Sequence, residues 1–316
     1  PQRYTAAVTA RAPGQRGAPA TEQTRIGLRT VRVIDGIIYL NGEPIELRGA
    51  SIHEDVPGHG PALTDQDTKR IVDELKNLGA NVTRAHYALD PRILDRLDAA
   101  GIMVWAQAPV YHRDNELTTA AGREEASRIV RAAVLQTRNH PSVITHSVAN
   151  ELSTHPDTRP GTRQFLDGAR ALTTDLDPTL PTAVDVLSYP GLKRQKSYGA
   201  FDMLGLNTYF GWYPGKDGHS TAELSTLAPF VQGMRAWYPH TALVMTEFGA
   251  EATTTGPEKR GAELAADVRP TCSCSDPRNS GATPGLRTTR IGRVPPVLEP
   301  SSWPLRAEGS APWANG

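Results

Sequence analysis

The first 33 residues alternate in polarity rather than repeating every three or four. Arg3 to Ala10 (RYTAAVTA) and Gln23 to Val33 (QTRIGLRTVRV) change sign at most positions, as half-buried strands do. The segment RAPGQRGAPA between them is rich in Pro and Gly and reads as a turn region. Two strands cannot make a domain in water. Residues 1–33 are therefore expected to be the last hairpin of a β module whose earlier strands are absent. Asp35-Gly36 and Asn41-Gly42 then supply the positive φ that tight hairpin turns require, so Val33 to Leu47 reads as a short hairpin.

From Ile45 the pattern becomes strand, loop, helix, strand. Strands are expected at Ile45–Ile52, Asn81–His86, Ile102–Ala106, Val143–Leu152, Thr182–Leu187, Phe201–Tyr209 and Ala242–Glu247. Helices are expected at Thr64–Leu78, Pro91–Ala100, Ala121–Asn139, Arg163–Leu176 and Leu224–Trp237, with Gly79 and Gly101 as stops. This alternation predicts an α/β fold with a parallel sheet, and the number of strands favours a (β/α)₈ TIM barrel over an open sheet. No G-x-G-x-x-G follows any strand, which removes support for a dinucleotide fold.

Beyond Val268 the periodicity stops. The last 48 residues hold eight of the 26 prolines and six arginines, and no Lys, Phe, Tyr or Met. The barrel is accordingly expected to lack its eighth strand. Residues 34–268 would be the catalytic domain, and 269–316 a disordered or aberrant Pro/Arg-rich tail.

The most informative stretch is Val143–Leu152, VITHSVANEL. It opens as a β-branched apolar run, the mark of a buried parallel strand, and ends on Asn150 and Glu151. Ala242–Gly249, ALVMTEFG, repeats the device and delivers Glu247, 96 residues after Glu151. Carboxylates at the C-terminal ends of barrel strands face the usual site of catalysis. A pair of them is the basic equipment for cleaving a glycosidic bond. Glu151 suits the general acid/base, which must be protonated before it assists the leaving group. Glu247 suits a nucleophile that forms a glycosyl-enzyme ester. Retention would then imply carboxyl groups roughly 5–5.5 Å apart. Asn150 is placed to contact the sugar 2-hydroxyl, and Arg84 to depress the nucleophile's pKa by its charge. Trp212 and Tyr213 offer faces for stacking on a pyranose, whereas Trp105 sits in an apolar strand and reads as core. Asp185 and Asp202 read as structural groups at strand starts or ends.

Composition narrows the partners. The 34 basic and 34 acidic residues balance, which argues against a general grip on nucleic acid or an anionic membrane. No run of 18 apolar residues occurs, and the chain opens on Pro1 with no leader visible, so the compartment is left unassigned. Cys272-x-Cys274 is a weak metal signal, and no His, Asp or Glu pair has zinc-site spacing. The absent G-x-S-x-G elbow disfavours acyl transfer.

Taken in order, NGEPIELRGASIHED, NVTRAHY, GIMVWAQAPV, HPSVITHSVANE, LGLNTYFGWY and MTEFGAE resemble the motifs of glycoside hydrolase family two, the β-galactosidase, β-glucuronidase and β-mannosidase group. The likeness covers roughly residues 24–260. It implies an immunoglobulin-like module before the barrel, which would account for the N-terminal hairpin. It assigns Glu151 as acid/base and Glu247 as nucleophile, and Tyr209 as the hydroxyl that keeps the nucleophile ionised. It places His53 and His86 around the sugar, and Asn207 is expected there with Asn150, Arg84, Tyr209, Trp212 and Tyr213. The implied activity is retaining, exo-acting hydrolysis of terminal β-galactosides or β-glucuronides, with β-mannosides as the lesser option. The expected partner is a carbohydrate, with no cofactor and homo-oligomerisation left open. Some β-galactosidases of the family bind magnesium or sodium, but their ligands cannot be matched here. The Asn-x-Lys pair that meets the sugar carboxylate in glucuronidases is missing from the tail. An inactive, sugar-binding remnant is the competing expectation.

Overall fold

The alternation of apolar strand and amphipathic helix closes into a barrel. The computed structural model describes residues 2–14, 17–56, 60–187, 192–210, 224–248 and 290–293. Two antiparallel units come first. β1 (Tyr4–Ala10) and β2 (Ala20–Ile26) pair from Tyr4 opposite Ile26 to Ala10 opposite Ala20. β3 (Val31–Ile34), β4 (Ile37–Leu40) and the short β5 (Glu43–Pro44) form a separate sheet. Asp35 and Gly36 turn β3 into β4 with φ of 48° and 73°, and Asn41 and Gly42 turn β4 into β5 with 54° and 88°. The expected boundary after residue 33 thus falls inside β3, which pairs with β4 rather than with the β1–β2 ribbon.

The β3–β5 sheet underlies the barrel. Val31, Ile38 and Leu47 are buried together with Val82, Ile102, Val143 and Ala242 at the strand beginnings. Gly36 N donates to His240 O at 3.2 Å, and Arg29 Nε donates to Val143 O at 2.9 Å.

The barrel runs β6 (Arg48–Ser51), α1 (Asp65–Asn77), β7 (Val82–Arg84), α2 (Pro91–Ala100), β8 (Met103–Gln107), α3 (Ala120–Thr137), β9 (Val143–Asn150), α4 (Pro160–Leu176), β10 (Thr182–Leu187), β11 (Met203–Asn207), α5 (Leu227–Trp237) and β12 (Ala242–Glu247). Neighbouring strands from β6 to β12 are parallel, as right-handed βαβ units require. The helix ends follow local chemistry. Thr64 and Asp67 make a reciprocal capping box on α1. Asp90 caps α2, Pro91 opens it, and Gly101 ends it at φ 73°. α4 starts earlier than expected because Pro160, with its preset φ, opens the first turn. Leu224–Thr226 is a 3₁₀ turn, so α5 is shorter than expected.

A regular eighth parallel strand is absent among the described residues. Its place is taken by β13 (Arg290–Arg293), antiparallel to β12, with Val244 opposite Arg293, and to β6, with Arg290 opposite Ala50. This strand comes from the stretch in which none was expected. Unpaired edges of β6 and β12 present rows of N–H and C=O groups, and a short extended segment such as RIGR satisfies them without any periodic apolar pattern. Among the described residues no helix is long and apolar enough to cross a membrane.

Candidate active site

The C-terminal ends of the parallel strands converge on one mouth. β7 delivers Arg84, β8 delivers Gln107, β9 delivers Asn150 and then Glu151, β11 delivers Asn207, and β12 delivers Glu247. All eight residues of β9 are buried, so its polar end is held by partners from neighbouring strands rather than by bulk water.

Glu247 is the best-held carboxylate there. Arg84 Nη1 donates to its Oε1 at 2.8 Å, the Tyr209 hydroxyl donates to Oε2, and His86 Nε2 lies 3.5 Å from Oε1. Burial is the largest single influence and pushes its pKa up. The Arg84 charge and the Tyr209 hydrogen bond outweigh burial and hold the carboxyl below the usual glutamate range. Tyr209 thus makes the contact expected of it, and Arg84 supplies the expected charge from a fully buried position.

Glu151 lies in the opposite regime. Burial pushes its pKa up, and the Glu247 charge adds to that. The Asn207 hydrogen bond, His112 and Arg84 pull it down without cancelling the rise. Asn207 Nδ2 donates to Glu151 Oε1 at 2.9 Å, and His112 Nε2 lies 3.7 Å from Oε2. The residue has φ 51°, a left-handed conformation that a non-glycine adopts only when its surroundings enforce it. Its N–H donates to Asp185 O at 2.9 Å, which fixes the bend where β9 stops.

A hydrogen-bonded bridge joins the two acids. Asn150 Oδ1 accepts from Arg84 Nη2 at 2.8 Å and from Asn207 Nδ2 at 3.0 Å, and Asn207 continues to Glu151. Thr246 Oγ1 donates to Asn207 Oδ1 at 2.8 Å, which sets the amide's direction. Asn150 and Asn207 are both buried, and the structure brings them together between Arg84 and Glu151. His53 stands beside His86 with ring centroids 5.7 Å apart, half-buried at the rim. Trp212 and Tyr213 lie outside the described residues, as do Cys272 and Cys274.

The sequence reading left out the floor of this site. Asp185, expected as a structural group at a strand start or end, is fully buried within β10. Its Oδ2 accepts from Trp105 Nε1 at 3.1 Å, from Ser147 Oγ at 2.5 Å and from the Gln107 amide, while Oδ1 lies 3.6 Å from Arg84 Nε. Trp105 is core, as expected, and is also a donor to the site's floor. Asp202 does serve a strand start, accepting from Thr182 N at 2.8 Å and Thr182 Oγ1 at 2.9 Å. Gln107 and His112 carry signals that sequence alone offers weakly: a polar residue directly after a strand, and a histidine in the loop beyond it.

Gly205 makes room for this floor. A Cβ there would overlap Asp185 Oδ1 and come within 2.7 Å of Thr246 Oγ1. Gly205→Ala is expected to destabilise the fold by about 1–3 kcal/mol, the usual effect of overpacking. A lower urea midpoint at unchanged slope is the readout; an unchanged midpoint would contradict the packing described.

Away from the mouth, Asp95, Asp98 and His140 offer ligand atoms within 4.8 Å of one another. Asp98 is already engaged there, with His140 Nδ1 at 2.7 Å and accepting from Ser142 N at 2.9 Å. Asp98 thereby ties α2 to the start of β9.

Comparison with known proteins agrees with the geometry. A family model described as glycosyl hydrolases family 2, TIM barrel domain, matches residues 31–266. A β-glucuronidase of Paenibacillus borealis is 29% identical over 244 residues, covering 73% of this chain and 39% of its own length. The human β-glucuronidase is 27% identical over 230 residues, covering 72% of this chain and 34% of its own. The solved β-D-glucuronidase of Dictyoglomus thermophilum superposes with a TM-score of 0.68 at 27% identity, covering 81% of this chain and 45% of its own. This chain therefore spans less than half the length of each of these relatives. With the family's barrel matched across most of its length, the chain belongs to glycosyl hydrolase family 2.

Proposed function

We propose that the chain carries the catalytic barrel of a retaining, exo-acting β-glycosidase that acts on terminal β-glucuronides first and β-galactosides second. The observation that carries this reading is the hydrogen-bonded bridge through Arg84, Asn150 and Asn207 that joins the two carboxyl groups across the barrel mouth. Glu247, held ionised, attacks the anomeric carbon and forms a glycosyl ester. Glu151, kept protonated, gives its proton to the departing oxygen and then takes one from the water that cleaves the ester. Asn150 reaches the sugar 2-hydroxyl in this scheme, and His53, His86, Trp212 and Tyr213 line the sugar. The similar enzymes favour the glucuronide, since the Paenibacillus borealis and human relatives are both β-glucuronidases.

A panel of nitrophenyl β-glucuronide, β-galactoside and β-mannoside tests the reading. The glucuronide should be cleaved fastest, and proton NMR of the first product should show the β-anomer. Cleavage of none of the three would reject the proposal.

The pH profile follows from the two shifts. Turnover needs Glu247 ionised, so activity falls as pH drops through its lowered pKa. It needs Glu151 protonated, so activity falls as pH rises through its raised pKa. A bell-shaped kcat/KM is expected, with its acid limb below and its alkaline limb above the ordinary glutamate range. A profile with the alkaline limb removed in wild type would contradict the assignment of Glu151.

A second reading, a sugar-binding chain without turnover, is favoured by β13. An antiparallel strand in the eighth position turns its N-terminal end to the mouth, where a parallel strand would deliver its C-terminal end. Binding of the reaction product with no hydrolysis would support it.

A further inference from the structure

Beneath the nucleophile, chemistry alone fixes which way each ambiguous group points. Asp185 is buried between the Trp105 indole, the Ser147 hydroxyl and the Arg84 guanidinium, and a carboxylate in that company only accepts. The end of the Gln107 amide that touches it must therefore be the NH₂. Gln107 Oε1 then faces the other way, 3.4 Å from Arg84 Nη2 and 2.9 Å from His86 Nδ1. Arginine never accepts, which fixes the same orientation independently. An amide oxygen never donates, so His86 Nδ1 holds a proton.

We infer that Asp185 and Gln107 are positioning residues that lock neutral His86 with its proton on Nδ1 and leave Nε2 bare beside the nucleophile, ready to accept a hydroxyl of the bound sugar. His86 Nε2 and Glu247 Oε1 lie 3.5 Å apart, two acceptors facing one point. Glu247 Oε1 already accepts from Arg84 Nη1, so the bare Nε2 is the acceptor that a pyranose hydroxyl would satisfy. Burial, then the neighbouring Arg84 charge, lowers the His86 pKa and so favours the neutral ring. Glu247, Asp185, Arg84 and the ring of His53 are the charged or titratable groups around it. The identity of the donor rests on the glycosidase reading above; the position of the proton does not.

Nitrogen NMR of the ¹⁵N-histidine-labelled chain tests this, with His86→Gln used to assign the signals. In wild type His86 should show a pyrrole-type Nδ1 and a pyridine-type Nε2 in the neutral ring. In Gln107→Met the acceptor at Nδ1 is gone, and the proton should move to Nε2, drawn by Glu247. Asp185→Asn, whose amide can present either end, should give a mixture of the two forms. With a nitrophenyl β-glycoside, kcat/KM in Gln107→Met should fall about tenfold, the loss of one hydrogen bond of about 1.4 kcal/mol. A wild-type ring protonated on Nε2, or an Nδ1 proton that persists in Gln107→Met, overturns the inference, and the wild-type spectrum needs no variant to fold. The expected tautomer in a chain that cleaves no glycoside would uphold the lock and sink the proposed activity instead.

Discussion

Glu247→Gln is expected to lower kcat on any cleaved glycoside on the order of 10⁴-fold or more, the scale seen when a covalent nucleophile is removed. The replacement keeps the side chain's size: its amide oxygen can still accept from Arg84, and the Tyr209 hydroxyl can turn to accept from the amide NH₂. What is lost is the negative charge that lets the oxygen attack and form the glycosyl ester. Because the fold survives, KM should change far less than kcat. Purified variant and wild type compared on the same nitrophenyl substrate give the ratio. Residual activity above about one hundredth of wild type would mean that another group performs the attack.

Arg84→Met should have the second largest effect, and it should act on stability and chemistry together. Arg84 is fully buried between Asp185 and Glu247, and its Nη2 also holds Asn150. An apolar side chain there leaves Asp185 without its counter-charge in the barrel interior. Removing one partner of a buried ion pair costs about 3–5 kcal/mol, so the urea midpoint should fall clearly. Glu247 would keep the burial that raises its pKa and lose the main influence that lowers it. Since turnover needs that group ionised, the acid limb of the pH profile should move to higher pH. The native contribution to stability has the same sign. A depressed carboxyl stabilises the fold above its unfolded pKa, and that support is lost as pH falls through the folded value. An acid limb that stays in place would show that Arg84 does not hold the nucleophile.

Much of this architecture was legible in the chain. Amphipathic periods and stop signals gave α1 and α2 nearly to the residue, since Thr64, Asp90 and Gly101 act through their immediate neighbours. Glu151 and Glu247 stood out because each breaks a buried apolar strand at its end, where a barrel exposes its mouth. The floor was harder to see. Asp185 lies within β10, and an acid in a short strand reads alike whether it faces solvent or the barrel interior. Its role depends on Trp105, Gln107, Ser147 and Arg84, drawn from three other strands, and no local pattern encodes that meeting. β13 was invisible for a related reason. Its pairing is dictated by two vacant edges elsewhere in the chain, not by apolar residues of its own. The left-handed backbone of Glu151 likewise comes from the bond to Asp185 O across the strand pair.

Incubation of the chain with a 2-deoxy-2-fluoro β-glycoside bearing a good leaving group, followed by peptide mass mapping, interrogates the pairing of acid and nucleophile most directly. Fluorine slows both steps, the activated leaving group spares the first, and the ester should accumulate as a single added sugar on the peptide containing Glu247. An ester on any other residue, or steady turnover with no ester formed, would contradict the account.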